Sequence, residues 1–135
     1  EDIQEKILHI AEEVFSEKGY KDASMREIAS RTGITVSNIY HYFTNKDEIF
    51  RTILKPVLND LYAKIYSHDA NQMSIEVFTN SDYQQESVQE YIDLVSEHRA
   101  RLRMLLFQAQ GSSLENFRSE YTDAMTRTIF VFFQG

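Results

Sequence analysis

The sequence has no cysteine, one proline and four glycines in 135 residues. The missing thiols exclude disulfides, thiolate nucleophiles and cysteine-based zinc sites together, and a reducing cytoplasm is the simplest home for such a chain. Scarce proline and glycine leave little chemistry for tight turns, so few strands and long helices are expected. No apolar run approaches the ~20 residues that a membrane-spanning helix needs. The N-terminus carries Glu1, Asp2 and Glu5 where a secretory signal would be basic. Hydrophobic residues make up 42% and charged residues 26%, which supports a packed core rather than a disordered chain. The chain starts without Met and stops after Phe130-Val131-Phe132-Phe133, an apolar run that would need burial, so it reads as a fragment of a longer protein.

A net charge of −7 argues at first against nucleic acid as a partner. The distribution matters more than the total. From Lys18 to Lys55 there are seven basic residues against four acidic ones, a local surplus of +3, whereas from Ser67 onward five basic residues face ten acidic ones. A locally basic head on an acidic body still suits DNA, with the body's charge discouraging non-specific adsorption.

Apolar residues at three- and four-residue steps (Ile3, Ile7, Ile10, Ala11, Val14, Phe15) mark one face of a first helix. Gly19 is expected to cap it in the left-handed conformation, with Tyr20 folding back on the apolar face. Ser24-Met25-Arg26-Glu27 has the spacing of a capping box and opens a second helix that buries Met25, Ile28 and Ala29. After Gly33 a short third helix is expected, capped by Thr35 or Ser37 and burying Ile39 and Phe43. Asn45-Lys46-Asp47-Glu48 opens a fourth, long helix, acidic in its first turn and kinked or split at Pro56. Residues 68–83 read as loop around Ile75, Val77 and Phe78. Val88, Tyr91, Ile92, Val95, Leu102, Leu105 and Leu106 then trace a helix broken near His98, and Gly111-Ser112-Ser113 interrupts the chain before a last helix from Leu114. The fold class is all-α.

Two helices that cross steeply need a small residue at the contact and a residue tolerant of positive φ in the turn. Ala29 and Gly33 meet those needs, and Ile28, Ile34 and Ile39 wedge the pair apart. Ser24 to Lys46 is therefore read as a helix-turn-helix. In this motif the second helix enters the major groove and its first residues reach base edges. Here these are Val36, Ser37, Asn38 and His41, flanked by Tyr40 and Tyr42. Asparagine can bond bidentately to adenine, serine is adaptable, and valine can meet a thymine methyl. Ser24, Thr35, Tyr42 and Lys46 are placed for phosphate, and Arg26 for a phosphate or a guanine.

These residues carry a family resemblance. Ser24-Met25-Arg26-Glu27-Ile28-Ala29, Gly33-Ile34-Thr35 and the run from Ile39 to Ile49 resemble the TetR family of bacterial regulators, over about residues 3 to 50. That family usually has an aromatic residue and then histidine where this chain has His41 and Tyr42. The resemblance implies a three-helix DNA-binding head, residues 1–46, and a helical regulatory body, residues 47–135, incomplete at its C-terminus. It further implies a cytoplasmic homodimeric repressor that a small apolar or amphipathic effector releases from a palindromic operator in double-stranded DNA. The family's dimer forms through C-terminal helices that are expected to lie beyond this chain. The alternative is a DNA-bound adaptor whose body binds another protein.

For Tyr62, Tyr66, Tyr91, Met104 and Phe107, ordinary core is the first reading and lining of an adaptable ligand cavity the second. Glu12, Glu13 and Glu17 read as a solvated face, and Arg99, Arg101 and Arg103 as exposed charge at a helix junction. His9 and His98 stand alone, without clustered carboxylates, and point to no metal. No catalytic constellation or phosphate-binding glycine loop appears, so no enzyme activity and no cofactor are expected.

Overall fold

The computed structural model describes residues 2–67 and 80–134, with backbone alone at 65–67, 83 and 128–134. Among the described residues there are seven helices and no strand: α1 (Ile3–Asp22), α2 (Met25–Thr32), α3 (Val36–Ile39), α4 (Lys46–Ser67), α5 (Ser81–Glu97), α6 (Arg99–Phe107) and α7 (Phe117–Gln134). The loop expected around Ile75, Val77 and Phe78 lies outside the described residues. Ser81 and Asp82, expected in that loop, instead open α5, with Gln84 N–H donating to the Asn80 carbonyl at 3.0 Å.

Of the apolar face of α1, Ile7, Ala11, Val14 and Phe15 are inaccessible and Ile10 is half-buried, whereas Ile3, in the first turn, is 40% exposed. Gly19 departs from expectation. Its φ of 79° comes with ψ of 166°, an extended mirror-image conformation rather than the left-handed helical cap, and helical turns resume as far as Asp22. That backbone region is essentially restricted to glycine. Tyr20 does fold back, stacking on Phe15 at 5.8 Å and meeting the edge of Phe50 from α4 at 5.0 Å. Phe15 and Phe50 are edge-to-face at 5.0 Å. Such pairs add about 0.5–1.5 kcal/mol each beyond area burial, so this triad is the joint between α1 and α4.

One continuous core runs from Ile7 through Ile39, Phe50 and Leu54 to Leu105 and Phe117. α4 serves both ends of it. Ile49, Phe50 and Ile53 close the head, while Val57 and Leu61 face the body. Pro56 does not split α4, which continues from Lys46 to Ser67 with the proline ring exposed. An exposed position lets solvent satisfy the carbonyl that the missing proline N–H leaves unpaired.

The break near His98 and the interruption at Gly111 appear where expected, Gly111 having φ of 87°. The last helix begins at Phe117, three residues after Leu114. α5 packs through Leu94, with Tyr91 half-buried and His98 buried just after its end. Val88, Ile92 and Val95, expected on its inner face, are exposed. Periodicity names a stripe but not which part of it finds a neighbour, and among the described residues this side of α5 has none.

Candidate nucleic-acid interface

The helix-turn-helix is built by local hydrogen bonds. Ser24 Oγ caps α2 by accepting from Glu27 N–H at 3.0 Å. At the other end, Gly33 has φ of 84° and ψ of 27°, with its N–H on Ser30 O at 3.2 Å and Ile34 N–H on Ala29 O at 3.1 Å. This is a Schellman closure, in which the positive φ turns the chain and the last carbonyls of the helix are satisfied. Thr35 Oγ1 then caps α3 by accepting from Asn38 N–H at 3.1 Å. Each capping hydroxyl accepts one bond and so keeps its own O–H to donate elsewhere.

α3 has four residues and is held from beneath by Ile39, fully buried, and by Phe43. Helical hydrogen bonding continues past its end, with Tyr42 and Phe43 N–H groups both reaching Ile39 O. The rest of the segment faces outward. Tyr40 is 50% exposed and Tyr42 38%; Ser37 and His41 are exposed, and Val36 and Asn38 half-buried. Arg26 is exposed on α2 and pairs with no carboxylate among the described residues. The residues selected for bases and phosphates are thus brought together around α2, α3 and the first turn of α4.

Three details depart from the sequence reading. The capping box at Ser24 is only half made, because the Glu27 carboxylate turns away from the Ser24 N–H to Lys18 Nζ at 2.6 Å and Arg31 Nη2 at 2.8 Å. Two cations outcompete one amide. Arg31 also forks onto Glu17, so Lys18, Glu17, Glu27 and Arg31 latch α1 to α2. These charge-assisted bonds hold the Glu17 and Glu27 carboxyls below their ordinary range, Arg31 being the main cause for the first and Lys18 for the second. A related exchange stands at the start of α4, where Asn45 Oδ1 accepts from Glu48 N–H at 2.8 Å and Glu48 Oε2 accepts from Thr44 N–H, one residue before the cap, at 2.7 Å.

The second departure concerns charge. Of the seven cations counted between Lys18 and Lys55, Lys18 and Arg31 are in ion pairs and Arg51 reaches Ser113. The third is Lys46, expected at phosphate. Its ammonium donates to Tyr20 O at 2.8 Å and Ala23 O at 2.9 Å and lies 4.2 Å from the centre of the Tyr20 ring. Burial pushes this ammonium below its ordinary pKa, opposed by nearby Asp22.

In the body, Met104 is fully buried, while Phe107 is 62% exposed beneath Arg118, so these two do not share a cavity wall. Phe107, read first as core, is corrected to surface. Tyr62, also read first as core, is exposed at 37% while its ring packs edge-on to Phe117 at 5.9 Å; Phe117 meets Tyr121 at 5.5 Å, and Tyr121 donates to Leu61 O at 3.3 Å. Tyr91 lies beside Tyr121 and under Lys64. The Tyr66 side chain lies outside the described residues. Phe117 and Tyr121, not selected for this cluster from sequence, have the i, i+4 spacing that marks one helix face.

Long-range pairs also correct the charged residues. Arg101 is half-buried on Glu12 at 3.0 Å, so neither is freely solvated. His98 is not alone: its Nε2 lies 2.6 Å from Asp60 Oδ2 and 4.0 Å from Glu97 Oε2. Neighbours in a helix point apart, but His98 has φ of −110° and ψ of 21°, which lets both residues approach Asp60. The direct histidine–aspartate bond works as a clasp between α4 and the α5–α6 junction.

Residues 7–53 match the family described as bacterial regulatory proteins, tetR family. The HTH-type transcriptional repressor KstR2 of Rhodococcus jostii is 24% identical over 122 residues, 87% of this chain and 59% of that protein. The HTH-type transcriptional regulator UidR of Escherichia coli is 37% identical over 49 residues, 36% of this chain and 25% of that protein. The chain therefore spans less than two thirds of the length of these curated relatives. Among solved structures, a putative fatty acid metabolism regulator of Clostridium perfringens superposes with a TM-score of 0.65 at 23% identity, over 96% of this chain and 70% of that one. A transcriptional regulator (TerR/AcrR family) of Aquifex aeolicus gives 0.62 at 21%, over 97% and 69%. Both share the fold. Residues 7–53, which hold the capped helix-turn-helix, thus match the N-terminal domain of the tetR family of bacterial regulatory proteins.

Proposed function

We propose that this chain carries the DNA head, residues 1–46, and part of the regulatory body, residues 47–135, of a ligand-responsive transcriptional repressor. The observation that carries this reading is the outward-facing set on α3 and the turn after it, Ser37, Tyr40, His41 and Tyr42, beside two capping hydroxyls whose O–H groups remain available. Val36, Ser37, Asn38 and His41 read base edges, with Tyr40 beside them and Arg26 reaching a guanine or a phosphate. Ser24, Thr35 and Tyr42 hold the backbone. Lys46 is left out of the phosphate set because its ammonium is already engaged.

The protein acts in the cytoplasm as a homodimer on a palindromic operator, with heads ~34–36 Å apart so that each enters one major groove. The effector is a small apolar or amphipathic molecule. Tyr62 and Tyr91 are placed for it, in the cluster with Phe117 and Tyr121; Met104 and Phe107 are not. α4, ~33 Å long, joins that cluster to the head core through Phe50, so a shift at one end changes head spacing at the other. The membrane plays no part in this scheme: no helix among the described residues is long and apolar enough to cross one.

Selection of binding sites from random DNA tests the reading. The expected motif has two half-sites related by a dyad, and Asn38→Ala relaxes preference at one or two base pairs by ~1–3 kcal/mol each. No enrichment of any site overturns the proposal. A motif identical for both proteins removes Asn38 from the base-reading set.

A further inference from the structure

Lys46 is the first residue of α4, and its ammonium lies against the end of α1 rather than in open solvent. The carbonyls of Tyr20 and Ala23 belong to the C-terminal end of α1, where the helix dipole is negative and carbonyls lack onward helical partners. An ammonium has three N–H groups in a tetrahedral fan, and two of them are taken at 2.8 and 2.9 Å. The side chain is half-buried, with the Tyr20 ring beneath it. A phosphate would find one N–H left, on a charge already partly desolvated.

The position of these bonds matters more than their number. Ala23 directly precedes Ser24, which caps α2 and belongs to the proposed phosphate set. Tyr20 is held from the other side as well, its N–H donating to Gln108 O at 2.9 Å from the loop after α6. The turn between α1 and α2 is thus pinned between the body and the start of α4, and Lys46 is the pin on the head side.

We infer that Lys46 is a positioning residue for DNA recognition. By bridging the Tyr20 and Ala23 carbonyls it sets Ser24 and the start of α2 against the start of α4, and it does not itself bind phosphate. This rests on the proposed DNA reading, and the salt dependence of binding separates the two roles. A phosphate ligand contributes about 0.9 to the slope of log affinity against log salt, whereas a residue acting through the backbone contributes nothing. Arginine also separates them: it is a good phosphate ligand, but its planar fork does not reproduce a tetrahedral ammonium over two carbonyls.

The experiment compares wild type, Lys46→Met and Lys46→Arg on the site recovered by selection, at several salt concentrations, together with thermal unfolding of the free proteins. Both variants are expected to bind about tenfold or more weakly and to melt lower, with slopes within about 0.3 of wild type. A slope reduced by about 0.9 in Lys46→Met, with affinity retained by Lys46→Arg, makes Lys46 a phosphate ligand and overturns the inference. Unchanged affinity in Lys46→Met overturns it too. If the variants fail to fold, the ammonium proton resonance of Lys46 in free wild type decides: a slowly exchanging signal is expected, and its absence refutes the clasp. If wild type binds no DNA, the positioning role falls with the DNA reading, while that same resonance still reports whether the clasp exists.

Discussion

Gly33 is the most exposed point of the helix-turn-helix to a clean perturbation. Its φ of 84° lies in the left-handed region, and a Cβ built there meets nothing within 4 Å. Gly33→Ala therefore introduces torsional strain without a clash. A Cβ in the left-handed conformation costs about 1–2 kcal/mol. The smaller conformational freedom of alanine in the unfolded chain offsets about 0.5–1 kcal/mol of that. The net destabilisation is about 1 kcal/mol. In urea, with a slope of about 1–3 kcal/mol per molar, the midpoint should fall by roughly 0.3–1 M with the slope unchanged. Gly33→Asn, whose side chain tolerates this conformation better, should lose about half as much. Equal losses for Ala and Asn would show that the effect is not torsional, and no loss for either would mean that the turn does not need its positive φ. Gly19→Ala makes an internal comparison. A Cβ there makes only ordinary contact with Gln108 at 3.8 Å, but ψ is an extended 166°, so the substitution should cost more than Gly33→Ala, about 1–3 kcal/mol.

Two predictions concern pH. Glu17 and Glu27 have carboxyls held below their ordinary range by Arg31 and Lys18, so the latch between α1 and α2 is fully present above about pH 4.5 and is lost as pH falls through the lowered values. Glu17→Gln with Glu27→Gln should flatten acid unfolding in that range, and a profile as steep as wild type would show that the latch adds nothing. Tyr121 has its phenol pushed up to about 12 by burial and by neighbouring Tyr91, and its O–H donates to Leu61 O. Its contribution is present below about pH 10 and is lost as pH rises towards 12, because a phenolate cannot donate to a carbonyl. Tyr121→Phe should make denaturant midpoints fall less between pH 10 and 12 than in wild type; an identical fall would remove Tyr121 from the account.

What could be read from sequence was what depends on near neighbours. Caps at Ser24, Thr35 and Asn45 act over three residues, the Ala29–Gly33 turn over four, and the buried faces of α1, α2 and α3 follow from a helical period. Such features lie within one or two helical turns, so composition and spacing determine them and tertiary context has little room to change them. Side-chain exposure on α3 and the turn after it follows in the same way, because burying Ile39 and Phe43 leaves Ser37, Tyr40 and His41 on the outside.

What tertiary structure alone decided is which charged and aromatic groups meet. Lys46 finds carbonyls 23 and 26 residues away, His98 finds Asp60 across 38 residues, and Arg101 finds Glu12 across 89. No period in a sequence encodes such pairings, since a long cationic side chain takes whatever acceptor the packing of helices brings within reach. The same holds for α5, whose apolar residues are equally suited to either side until the helix docks through Leu94 and the His98 that follows it. The sequence by itself determined the local grammar of an all-α chain and its helix-turn-helix. Only the packed structure assigned the local cations, turning a basic window of seven into one in which Lys18, Arg31, Arg51 and Lys46 already have partners and Arg26 stands free of any carboxylate among the described residues. The physical reason is that charge is satisfied through space, whereas helices are specified along the chain.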